Sequence, residues 1–136
     1  MCSSSHGPGT LLPLSLTSYK ELAWGKDEIS PLTGFSNKQW CDIGMTLIDG
    51  MDTLYLMGFH EDVKQAREWV KTKFRFKPDC PLSVFELNIR MVGGFLSMYD
   101  LTKDKLYLQK AVEVADILLI AFKDYYNFPH VSYDDH

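Results

Sequence analysis

Ser83 to Phe122 reads SVFELNIRMVGGFLSMYDLTKDKLYLQKAVEVADILLIAF, and this stretch decides the fold class. Its first part, about Ser83 to Tyr99, carries Val84, Phe85, Leu87, Ile89, Met91, Val92, Phe95 and Leu96. Apolar residues on nearly every side predict a helix enclosed by other helices. The second part, about Asp104 to Phe122, aligns Leu108, Ala111, Ala115, Leu118 and Phe122, with Lys105, Lys110, Glu113 and Asp116 opposite. That spacing predicts an amphipathic helix with one buried stripe.

The preceding residues repeat the arrangement. Trp40, Ile43, Leu47, Met51, Leu54 and Tyr55 recur at spacings of three and four, which predicts a buried helix. Ser36 or Asn37 is the expected N-cap and Gly58 the expected stop. Val63, Ala66, Val70 and Phe74 then share a face, opposite Glu61, Lys64, Arg67, Glu68 and Lys71, and Pro78 bars further helix. A deeply apolar helix followed by an amphipathic one, twice at roughly 45 residues, is the signature of stacked αα-hairpins. Two hairpins cannot close a ring, so the expected architecture is all-α and incomplete over these residues. Residues 1–17, rich in Ser, Gly and Pro, are expected as a tail, with order beginning near Tyr19 and the folded portion covering 18–136.

Composition narrows the function. The 136 residues suffice for one domain with a real core, and 46% hydrophobic with 13% aromatic content excludes a disordered chain. Net charge is −4 with the basic residues scattered, unlike the clustered footprint of a nucleic-acid binder, so no nucleic-acid partner is expected. The apolar run Leu11 to Leu16 is broken by Pro13 and falls far short of the about 20 residues a membrane span needs. It also lacks the flanks of a signal peptide, so no targeting or membrane segment is expected here. Cys2, Cys41 and Cys80 are widely spaced and odd in number, neither a disulfide framework nor a zinc signature, and leave the redox compartment open. His6, His60, His130 and His136 have no metal-ligand spacing.

Chemistry concentrates in the apolar helix. Glu86 and Arg90 lie four apart, hence on one helical face. A carboxylate buried there would have its pKa raised, as a general acid requires, while Arg90 favours the ionised form and offers donors to a sugar hydroxyl. On spacing alone the commoner meaning is structural: Ser83-x-x-Glu86 is a capping box, and Glu86–Arg90 an ordinary ion pair. Asp49 and Asp52 are expected to bond the ends of neighbouring helices, with substrate or metal binding as the alternative. Gly93–Gly94 points to close helix packing, with approach by a ligand as the alternative, and Lys26, Asp27 and Glu28 to a solvated charge cluster, with site residues on a loop as the alternative.

Taken in order, AWGKDEISPL, TLIDGMDTLYLMG, SVFELNIRMVGGFLSMYDL and KAVEVADILLIAF resemble the start of the class I α-1,2-mannosidase catalytic domain, glycoside hydrolase family 47. The resemblance covers about residues 18–136 and implies an (α/α)7 barrel of which this chain is the N-terminal part. It implies an inverting, calcium-dependent hydrolase acting on high-mannose N-glycans in the endoplasmic reticulum or Golgi lumen, with a membrane-anchored parent. By the same resemblance Glu86 is the catalytic acid and Arg90 a substrate-binding residue. The catalytic base and the calcium ligand lie outside the chain, so none of its residues is assigned to metal and the isolated segment is expected to be inactive. Trp24–Gly25 is closer to the trimming enzymes than to the degradation-enhancing branch. DYYNFPHVSYDDH, after Phe122, only loosely resembles the family's substrate-side loop. A non-catalytic mannose-glycan recognition protein and a helical-hairpin interaction module are the competing readings.

Overall fold

The computed structural model describes residues 8–37, 40–77, 80–122 and 132–133. Helix α1 spans Pro8–Ala23, strands β1 and β2 are Glu28–Ile29 and Ser36–Asn37, α2 is Met45–Leu56 and α3 is His60–Thr72. Then come β3 (Leu82–Ser83), α4 (Val84–Leu87), a π-turn at Asn88–Val92, α5 (Gly93–Thr102) and α6 (Lys105–Leu118). A 3-10 turn (Leu119–Phe122) and β4 (Ser132–Tyr133) follow. The strands form two short antiparallel ladders, β1 with β2 and β3 with β4.

The predicted hairpins are present: α2 with α3, and the continuous α4–α5 helix with α6, the two apolar helices packing side by side. The predicted stripe is the buried one: Val63, Ala66 and Val70 on α3, with Phe74 just past its end. On α6 the buried stripe is Tyr107, Ala111, Val114 and Leu118, so Leu108 and Ala115 lie to its side. Asp104 caps α6 by accepting from the Leu106 N–H at 3.0 Å, and it binds Arg67 Nε of α3 at 2.6 Å, tying the two outer helices together. The Arg67 guanidinium holds the Asp104 carboxyl below its ordinary value. Gly94 lies where α2 crosses α5: a Cβ there would stand 2.9 Å from the Ile48 carbonyl oxygen. Close packing, as expected, is what this glycine serves.

Two boundaries differ from expectation. Helix begins at Pro8 rather than near Tyr19, because proline at the first helical position gives up no needed N–H and presets φ. Leu16, Tyr19 and Ala23 then dock α1 on the core. The N-terminal part of the expected tail, residues 1–7, lies outside the described residues, as do 123–131 and 134–136 of the expected loop.

The second difference concerns α2, which starts at Met45 rather than after Ser36 or Asn37, both of which belong to β2. Trp40 to Gly44 form a turn in which Cys41, Asp42 and Gly44 all have left-handed backbone (φ 62, 60 and 76). Gly44 is the N-cap and has no side chain to offer the free N–H groups of the first turn. Asp27 supplies the acceptor from a distance. Fully buried, its Oδ1 accepts from the Gly44 and Met45 N–H groups at 2.8 and 3.2 Å, and its Oδ2 from Asp42 and Trp40 at 2.7 and 3.0 Å. The α2 dipole favours this negative charge further. The expected solvated cluster is therefore corrected at Asp27: four oriented donors replace the water a lone carboxylate would need.

The same turn is fixed on its other side by a disulfide between Cys41 and Cys80, with 5.9 Å between Cα atoms. Bridging residues 39 apart restricts the unfolded chain, a stabilisation on the order of 4 kcal/mol in the loop-entropy treatment. At its far end α2 closes with a Schellman motif: Phe59 N–H to Leu54 O at 2.9 Å and Gly58 N–H to Tyr55 O at 3.1 Å, with Gly58 at φ 83. The expected stop at Gly58 is the observed one.

Asp27→Asn tests this arrangement. The amide keeps one acceptor oxygen for four donors, and each buried donor left unpaired costs about 1–3 kcal/mol. Chemical denaturation is expected to show a loss of about 2–5 kcal/mol. A loss below about 0.5 kcal/mol, the size of an ordinary surface substitution, would show that the turn holds itself.

Candidate functional site

Strand β3 delivers the chain to Ser83, whose backbone is extended (φ −67, ψ 118) and whose Oγ accepts from the Glu86 N–H at 3.3 Å. This is half of the expected capping box. The Glu86 carboxylate does not complete it: Oε2 turns along the helix and accepts from Arg90 Nε at 2.5 Å, leaving Oε1 outside that ion pair. Arg90 lies in the π-turn, where widening of the helix re-aims side chains and which recurs at functional sites.

Arg90 is shared. Its Nη1 reaches Asp49 Oδ2 of α2 at 3.3 Å, and its guanidinium carbon stands 5.7 Å from the centroid of the Trp40 ring. The Trp40 indole N–H in turn donates to Glu28 Oε1 of β1 at 3.4 Å. Five side chains from four parts of the chain thus form one band: Glu28, Trp40, Arg90, and the carboxylates of Asp49 and Glu86 on either hand. It is open to solvent, with side-chain exposures of 27% at Glu86, 41% at Arg90 and 43% at Asp49. The expectation that Glu86 would be deeply desolvated is therefore corrected, because it lies on the side of α4 that neighbouring helices leave uncovered.

Electrostatics follow from the crowding of carboxylates. The hydrogen bond that Arg90 donates to Glu86 is the first reason its guanidinium is held above its ordinary value, with the fields of Glu86, Asp49 and Glu28 adding to it. Partial burial raises the Asp49 carboxyl above its ordinary 3.8; Arg90 opposes this, while Asp52 and Glu86 reinforce it. Asp52 is used differently, its Oδ2 accepting from Ser97 Oγ of α5 at 2.7 Å and its Oδ1 from the Thr53 N–H at 2.6 Å. Both aspartates do bond the neighbouring helix, at its middle rather than at its ends.

The sequence reading brought Glu86 and Arg90 together and the structure places them in contact. It missed Trp40 and Glu28 as members of the same band, and it missed Asp49 as the second carboxylate on Arg90. No local spacing joins residues 28, 40, 49 and 90; only the fold does.

Calcium, which the family resemblance implies, finds no cage here. Among the described residues no three His, Cys, Asp or Glu side chains converge on a point, and Glu86 and Asp49 are both engaged by Arg90. No helix among them is long and apolar enough to cross a membrane.

With this geometry in view, comparison with known proteins is decisive about ancestry. The family model for glycosyl hydrolase family 47 matches residues 12–135. A mannosyl-oligosaccharide 1,2-alpha-mannosidase of Arabidopsis thaliana is 45% identical over 114 residues, covering 84% of this chain and 20% of that protein. An endoplasmic reticulum mannosyl-oligosaccharide 1,2-alpha-mannosidase of Homo sapiens is 38% identical over 112 residues, covering 82% and 16%. Among solved structures, alpha-1,2-mannosidase from Trichoderma reesei superposes with a TM-score of 0.84 at 26% identity, covering 91% of this chain and 29% of that one. The chain spans about a fifth of the length of these curated relatives.

Titration of Asp49 tests the electrostatics. Because its folded pKa is raised, the native state binds this proton more tightly than the unfolded chain does. The stability so gained is present below the ordinary value of 3.8 and lost as pH rises through the folded value. Side-chain carboxyl NMR is expected to place its midpoint above 3.8, and Arg90→Gln to move it higher, since Arg90 lowers it. A midpoint that falls on removing Arg90 would contradict the assigned pairing. The hairpins are part of an (α/α)7 barrel, and the chain belongs to glycosyl hydrolase family 47, the class I α-1,2-mannosidases.

Proposed function

We propose that this chain contributes the acid side of the active site of an α-1,2-mannosidase, an inverting hydrolase that removes mannose from high-mannose N-glycans. The observation that carries this reading is Glu86 on the family motif, held by Arg90 at 2.5 Å on a solvent-open wall of an otherwise apolar helix. Glu86 is the general acid: it delivers a proton to the glycosidic oxygen as the bond to the leaving sugar breaks. Arg90 orients Glu86 and donates to a sugar hydroxyl, and Asp49 holds Arg90 from the opposite side. Inversion needs a second carboxylate about 6.5–9.5 Å away to take a proton from the attacking water. In this proposal that base and the calcium ligands lie outside the described residues, and calcium's part is to bind and orient the sugar. No step assigned to this chain's residues runs through it.

The location proposed is the lumen of the endoplasmic reticulum or Golgi. The Cys41–Cys80 disulfide supports this, since such bonds persist in oxidising compartments. So does the naming of a human relative as an endoplasmic reticulum enzyme.

In the full-length protein, Glu86→Gln is expected to lower kcat by about 10² or more, the usual contribution of a general acid, with the circular dichroism spectrum unchanged. Unaltered turnover would reduce Glu86 to a helix-end residue. Residues 1–136 alone are expected to release no mannose from a high-mannose glycan; calcium-dependent release by this segment would overturn the assignment of base and metal to other sequence.

A further inference from the structure

We infer that Trp40 and Glu28 form an outer sugar-binding wall, taking a mannose unit beyond the disaccharide that spans the cleaved bond. This rests on the mannosidase reading above and extends its site. Counted by contact from the acid, the order is Glu86, Arg90, Trp40, Glu28, with 2.5 Å, 5.7 Å to the ring centroid and 3.4 Å between successive members. Trp40 and Glu28 therefore adjoin the acid–arginine pair through Arg90, and both keep part of their surface in solvent.

Their chemistry selects the ligand class. An indole offers a flat apolar face to the C–H face of a pyranose, and a carboxylate accepts hydrogen bonds from vicinal hydroxyls. The band carries three carboxylates, Glu28, Asp49 and Glu86, against the single guanidinium of Arg90. That balance disfavours phosphorylated or acidic glycans, and among the described residues no such group converges to hold a metal. A neutral sugar is the ligand that fits.

The wall is also built to stay in place. The Trp40 N–H is fixed to the buried Asp27 carboxylate at 3.0 Å, and the next residue, Cys41, is bonded to Cys80. Cys80 in turn lies just ahead of Ser83, the cap of the helix that carries Glu86. A side chain needed only to fill space beside Arg90 does not require a backbone anchored on both sides. One that must meet a distal sugar in register with the acid gains from it, because a preorganised site loses less freedom on binding.

The test compares kcat/KM on α-1,2-linked mannobiose and mannotriose in the full-length protein. Trp40→Ala and, separately, Glu28→Gln are expected to reduce the trisaccharide-to-disaccharide ratio of kcat/KM by fivefold or more, through KM on the trisaccharide. Trp40→Phe is expected to restore most of the ratio. An equal loss on both substrates, or a loss confined to kcat, would show that Trp40 only steadies Arg90 and would overturn the inference. Should Trp40→Ala fail to fold, Glu28→Gln carries the test, and a ratio unchanged in that variant overturns it. If the wild-type protein releases mannose from neither sugar nor from a high-mannose glycan, the enzyme reading itself has failed; release with unaltered ratios in the variants removes the outer wall alone.

Discussion

The carboxylate of Asp27 is the constraint on which the rest of this structure depends. It is buried and meets four backbone N–H groups within six residues of chain, from Trp40 to Met45. Those donors include the start of α2, which has no cap of its own, so one side chain both begins the apolar helix and sets the turn before it. Each hydrogen bond to a charged group is worth about 1.5–3 kcal/mol, set against a desolvation penalty of several kcal/mol for the buried ion. With four donors the balance favours burial. Around this point the fold closes tightly. A Cβ on either Gly25 or Gly44, both left-handed at φ 76, would strike the Trp69 ring of α3.

What the turn positions is the band of site residues. Asp27 fixes Trp40 over Arg90, the disulfide fixes Cys41 against the approach to Ser83, and Ser83 sets the start of the helix bearing Glu86. Geometry at Glu86 therefore derives from contacts made by residues distant from it in the chain. Arg90 then distributes itself between two carboxylates from different helices, so a shift of α2 against α5 would be felt at Glu86. Gly94 against Ile48 keeps that crossing close.

Much of this was legible in the sequence, and what was not has a common cause. The stripe Val63–Ala66–Val70–Phe74 was readable because α3 is regular and faces one neighbour. Glu86 and Arg90 were readable because helical spacing alone brings them together. Trp40 and Ile43 fitted the helical spacing of α2 yet lie in a left-handed turn, whose acceptor comes from residue 27. Asp27 itself resembled a solvated charge beside Lys26 and Glu28, and Cys41 and Cys80 had no informative spacing. These features were set by contacts between distant residues, which periodicity does not report. On α6 the pattern gave the helix but misjudged the stripe by a fraction of a turn, since Tyr107 is buried by its packing rather than by alternation.

The α4–α5 helix leaves Phe85, Ile89 and Leu96 at 67%, 49% and 43% exposure, one apolar side of a helix whose other side is core. Within an (α/α)7 barrel such a face belongs against further helices, consistent with the share of the relatives that this chain spans. The proposed role of Glu86 as the acid of an inverting hydrolase is the central claim. Following the anomeric proton of mannose released by the full-length protein, by NMR and before mutarotation, tests it most directly. The account predicts β-mannose as the first product from an α-1,2-linked glycan; α-mannose as the first product would contradict it.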